Sequence, residues 1–168
     1  MTAQIAESLI YEGREVSMCA TPLDDYFAFG GNRPNFDTWR CTALWRGYVG
    51  SWEILNGHLY IIGLHGELED GSLVTLADVF PDFPDRAFAH WYSGTLRIPE
   101  GRQIEYVHMG FGSTYESDLF IEIERGVVVG TRIQHNGTIE GESGPEGYGV
   151  GAMTILPRAE GKNTENPE

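Results

Sequence analysis

Apolar residues in this chain recur mainly at every second position, and no long segment follows the 3.6-residue period of a helix. The clearest pattern covers residues 39–66. Its second half, residues 48–62, is two runs rich in aromatic and β-branched residues separated by Asn56-Gly57. That dipeptide tolerates positive φ at both central positions of a type I′ turn, so it predicts a hairpin. Parity places Tyr48, Gly50, Trp52 and Ile54 on one face, the expected core face, and Val49, Ser51, Glu53 and Leu55 on the other. Gly47 and Gly50 inside a strand pattern predict a bulge or the close approach of another backbone.

Similar punctuation marks the rest of the chain. Residues 9–18 predict a strand turned back at Glu12-Gly13. Residues 95–98, a turn at Pro99-Glu100-Gly101 and residues 104–107 predict a second hairpin; residues 119–123, a turn at Glu124-Arg125-Gly126 and residues 127–133 predict a third. In the third, Leu119, Ile121 and Ile123 share a face while Phe120, Glu122 and Glu124 take the other, as in an antiparallel strand with one wet side. Thr75 is placed to cap a short helix running to Val79 or Phe80, stopped by Pro81 and Pro84. Residues 21–38, dense in glycine, asparagine, proline and aromatics, are expected to form a surface loop whose rings fold back on the core. After a glycine-rich segment over 136–151, residues 152–156 offer a short last strand. Beyond Ala159 no apolar residue remains apart from glycine and proline. The expected architecture is all-β: a single antiparallel meander curling into a barrel or packing as a sandwich, with one short helix near residues 75–80. One domain spans residues 1–157, followed by a disordered tail over 158–168.

Charge narrows the range of partners. The chain carries 25 acidic and 11 basic residues, a formal net charge of −14. Such a surplus repels phosphate backbones and anionic membranes and favours a basic protein partner. The N-terminal residues lack the basic and apolar regions of a signal peptide, and no stretch approaches the ~18 apolar residues of a membrane span, so a cytoplasmic location is expected. Cys19 and Cys41 lack CxxC spacing and are expected to be buried free thiols. The 5 histidines never recur at helical ligand spacing, and no HExxH, GxSxG or Walker pattern occurs, so the sequence implies no metal, no cofactor and no catalytic residue.

Two concentrations of residues suit recognition. Trp39, Arg40, Trp45, Arg46 and Tyr48, with Trp52 close behind, combine the side-chain types enriched at binding hot spots; the same composition also suits a core with arginines stacked at its rim. Residues 106–116 hold the second, where a Gly-Phe-Gly-Ser turn is expected to expose His108, Tyr115 and Glu116. A histidine beside a phenol and a carboxylate is raw material for acid–base work, but the turn lacks the strand–loop–helix setting of a phosphate cradle.

The segments CTALWRGY (41–48), WEI (52–54), WYSGTLRIP (91–99) and YVHMG (106–110) resemble a family of small acidic bacterial proteins with a CTAxWRGYxxxWEI-like motif, over residues 9–133. The resemblance implies a bacterial or phage source and a stand-alone cytosolic domain, and it assigns no activity to any residue. Two functions are therefore expected as alternatives. One is an acidic inhibitor or immunity-type protein masking a basic site on a protein partner, anchored by the aromatic–arginine cluster. The other is a small-ligand protein or enzyme with a pocket for an anion at the barrel mouth, lined by Trp45, Arg46, Trp52, His108 and Tyr115.

Overall fold

A computed structural model describes residues 2–137. The predicted strand at 152–156, most of the glycine-rich segment before it and the tail at 158–168 lie outside the described residues. The strands are β1 (Glu7–Tyr11), β2 (Arg14–Met18), β3 (Tyr48–Leu55), β4 (His58–Glu67), β5 (Leu73–Val74), β6 (Ala87–Phe88), β7 (Gly94–Glu105), β8 (Thr114–Glu124) and β9 (Val127–His135). Among the described residues two helices accompany them, α1 (Pro22–Ala28) and α2 (Leu76–Val79). The protein is mostly β, as the alternation predicts. Among the described residues no helix is long and apolar enough to cross a membrane.

Three hairpins close on two-residue turns with positive φ at both positions: Glu12-Gly13, Asn56-Gly57 and Arg125-Gly126. On β3 Tyr48, Gly50 and Trp52 of the predicted inward set are buried, Ile54 is half-buried, and Leu55 of the other set is exposed. The register shift opposite Ser51 and Trp52 places the extra residue, Ile62, on β4. The inward side of β4 accordingly changes from Leu59 and Ile61 to Gly66, while β3 keeps its phase. On β8, Leu119, Ile121 and Ile123 face inward together. The core they build includes Leu9, Met18, Leu23, Tyr48, Trp52, Leu96 and Ile98.

Four expectations need correction. The sheet is mixed and open, with order β2-β1-β3-β4-β9-β8-β7, rather than an antiparallel meander closed into a barrel. β1 runs parallel to β3, because the long connection after β2 returns the chain alongside β1. The order leaves β2 and β7 as its two ends; within it β4 also carries β6 at Tyr60 and Ile61 and β5 at Gly66 and Glu67, and meets β9 at His58 and Val127. The two outer strands still approach one another, and Cys19 N–H at the end of β2 donates to Arg97 O on β7 at 2.8 Å.

The predicted second hairpin is one continuous strand. Pro99 remains in β7, opposite Asp118, and the register shifts after Glu100, next to Gly101 with its positive φ. β7 ends the sheet order, and an edge strand tolerates a proline that cannot donate to a ladder. Within the expected loop at 21–38 lies α1, a helix too short to display a period. Pro22 stands in its first turn, Asp24 and Asp25 complement its dipole, and Gly30 at positive φ follows its end. The helix at 75–80 forms as α2, with Thr75 N–H donating to Asp78 Oδ2 at 2.7 Å. Both cysteines are free, but Cys19 is half-buried and Cys41 exposed instead of both being buried.

Candidate functional site

The aromatic–arginine cluster divides between interior and surface. Arg46 and Tyr48 flank Gly47, whose positive φ swings the chain from the preceding loop into β3. Arg46 turns inward and meets Glu7, the first residue of β1. Arg46 Nε donates to Glu7 Oε1 at 2.8 Å, its Nη2 lies 2.5 Å from the same oxygen, and Nη2 also donates to Ile5 O at 2.8 Å. Glu7 Oε2 accepts from Gly50 N–H at 2.6 Å and from Trp52 Nε1 at 2.9 Å. Both charges are buried, and a buried pair holds only when its remaining hydrogen bonds are satisfied, as here. The glycine at 50 now has its reason: a Cβ there would lie 2.2 Å from Glu7 Oε2. What approaches β3 so closely is a carboxylate, not another backbone.

The network continues outward. The Arg46 guanidinium carbon sits 5.5 Å from the centroid of the Tyr48 ring, and Tyr48 Oη donates to Asp24 Oδ1 on α1 at 2.6 Å. Burial foremost, then the Glu7 charge and the bond to Asp24, hold the Tyr48 phenol well above its ordinary range. Burial pushes the Glu7 carboxyl up to about 7, against the Arg46 charge and the hydrogen bonds from Trp52, Arg46 and Gly50. With the folded value above the ordinary 4.5, the Glu7 contribution to stability is complete below about 4.5 and is lost as pH rises through about 7. A carbon-13 NMR titration of the Glu7 carboxyl should accordingly give a midpoint near 7; a midpoint at or below 4.5 would mean that the donors outweigh desolvation.

Three aromatics on the connection between α1 and β3 point the other way. Phe29 is 75% exposed, Trp39 89% and Trp45 44%. Arg40 lies beside Trp39 and is paired with Asp37 and Glu67. Asp37 N–H donates to Glu67 O, and Phe36 bridges Leu68, which docks the Trp39 segment on the end of β4 beside exposed Glu69 and Asp70. Trp39 N–H donates to Asp37 Oδ1 at 3.0 Å, so the exposed ring stands on a segment held by its backbone. Trp45 and Arg46 line a cleft of about 500 Å³ with Asp24, Phe27, Ala28 and Arg33. Arg33 Nη2 donates to Arg46 O at 3.0 Å, and its guanidinium lies over the Phe27 and Phe36 rings.

The second cluster does not converge. Tyr115 and Glu116 are adjacent on β8 and point to opposite faces. Tyr115 is buried, its hydroxyl 3.4 Å from Gln103 Oε1, and lines a crevice of about 10 Å³. Glu116 packs on the Gly101 side, where a Cβ would meet its carboxylate at 2.5 Å. His108 is exposed, its ring edge-on to Tyr106 at 4.5 Å. The loop that carries it is pinned from within: Arg97 donates to Asp118 Oδ1 at 2.9 Å and to the carbonyls of Phe111 and Ser113. Trp52, His108 and Tyr115 thus take no part in the cleft beside Trp45, and no barrel mouth gathers them.

Sequence reasoning missed Glu7, Asp24 and Arg33. A signal for Glu7 existed in its position two residues before Leu9, on the inward side of the same strand. No family model, no curated protein and no solved structure matches this chain. The resemblance in its motifs therefore brings no further residue to the site.

Proposed function

We propose that this chain is an acidic binding protein that docks on a basic protein partner through the connection between α1 and β3, with Trp39 and Trp45 as anchors. The observation that carries the reading is Trp39, 89% exposed on a segment that docks through Asp37 and Phe36 on the end of β4. An apolar anchor is usual in a recognition surface, and tryptophan is prominent among hot-spot residues. The net charge of −14 supports steering of a cationic partner. A small anionic ligand at the Trp45 cleft is less well supported, because the Arg46 charge is already matched by Glu7.

A photo-crosslinking aromatic amino acid placed at position 39, used in a cell extract, should capture a basic protein. Stopped-flow association with the captured partner should slow markedly as ionic strength rises from low to physiological, while dissociation changes little. Trp39→Ala should raise the dissociation rate about tenfold or more without moving the unfolding temperature. Association indifferent to salt would remove the steering role of the carboxylates, and an unchanged dissociation rate would remove Trp39 as anchor.

A further inference from the structure

On another part of the surface, α1 and the segment that follows α2 enclose a cleft of about 510 Å³ with aromatic walls. Tyr26, Phe80 and Trp91 form its base. The Phe80 and Trp91 rings stack at 5.5 Å with 14° between their planes, and the Tyr26 ring lies 4.8 Å from each. Trp91 is held in place by its indole N–H, which donates to Pro22 O at 2.8 Å. That bond uses the only polar group of the ring, so the indole brings no free donor to the cleft. Phe83, 61% exposed, stands at the mouth.

The polar groups in the described walls are few: the Asp82 carboxylate, the His90 ring and the Tyr26 hydroxyl. No lysine or arginine lies among them. Arg86, the nearest cation in sequence, is directed onto the Tyr60 ring and paired with Glu53. Aromatic faces attract a cation through their quadrupoles, and a carboxylate adds a full charge of the same sign. An ammonium carrying N–H groups must exchange its water partners for these few side chains, and each donor left unmet costs binding free energy. A quaternary ammonium has no N–H to satisfy.

We propose that this cleft binds a small organic cation, a quaternary ammonium group carried on an apolar body. The volume lies within the range of ordinary ligand sites and exceeds what a trimethylammonium head alone would fill. The site is separate from the Trp39 surface and stands or falls independently of it.

The test is an NMR titration of nitrogen-15-labelled protein with choline, with its uncharged isostere 3,3-dimethylbutan-1-ol and with ethanolamine. Choline should shift the Trp91 indole N–H saturably below about 10 mM, with the alcohol and ethanolamine at least about tenfold weaker. Phe83→Ala removes an exposed ring that the fold does not need, and Asp82→Asn removes an exposed charge; each should weaken choline about threefold or more, whereas Trp39→Ala should leave it unchanged. Equal binding of the uncharged alcohol would overturn the cation assignment. The absence of any saturable shift at Trp91 would overturn the site.

Discussion

Replacing Arg46 with alanine should destabilise the protein by about 3–5 kcal/mol near pH 8, the range found when one partner of a buried ion pair is removed. For a chain of this length that corresponds to a fall in the thermal midpoint of roughly 10 °C. The cause is what remains. Glu7 keeps its hydrogen bonds from Gly50 and Trp52 but loses the guanidinium that pairs with it, and its carboxyl moves up beyond about 7. Below that pH it can take a proton and relieve part of the cost, so the penalty should be visibly smaller at pH 5.5 than at pH 8. Arg46→Lys should fall between, because an ammonium cannot reproduce the planar fork that serves Glu7 and Ile5 O together. Thermal unfolding of the three proteins at both pH values measures this, and a silent alanine variant at pH 8 would show that Arg46 is not the brace of Glu7. The expected result also bears on function. An Arg46 variant that lost binding would report a damaged frame, so the proposed docking surface is better probed at Trp39.

Trp52→Ala should cost about 3–5 kcal/mol in urea denaturation, through lost transfer free energy and the cavity left among neighbours that cannot collapse onto it. Trp52 is fully buried in the middle of β3, opposite Ile61 and alongside Leu9. Trp52→Phe should cost less, because it retains a ring and loses chiefly the N–H donated to Glu7 Oε2. A cost below about 1 kcal/mol for the alanine variant would place this side chain outside the core and shift the inward set of β3 by one residue.

Much of the sheet was legible because strand alternation and two-residue turns are local. Leu119, Ile121 and Ile123 announce their face, and Asn56-Gly57 announces its turn, without help from any distant residue. The parallel pairing of β1 with β3 was not legible: Ser8 meets Ser51 through long-range assembly, and no period in either strand specifies the other. Pro99-Glu100-Gly101 has the chemistry of a turn, yet an edge strand can absorb the same residues as a bulge. At the candidate site, parity placed Tyr48 in the interior, where it lies. The partner of Arg46 is 39 positions away, so a cation that looked available for a ligand is in fact neutralised. The aromatic cleft was hidden for the same reason, its rings coming from α1, the segment after α2 and the residues following β6.

The parallel contact between β1 and β3 also bears on how the chain assembles and on what can vary within it. The three tight hairpins join neighbours in sequence, whereas joining β1 to β3 closes a long loop, the kind of step that slows the folding of β proteins. Once that loop is closed, further chain within it adds little: each doubling of loop length costs only about 0.6 kcal/mol. Phe36 and Ala43 are buried and fasten the connection, while Trp39, Arg40, Cys41 and Thr42 between them are exposed. Substitutions and insertions at this tip should therefore leave the frame behind it unchanged.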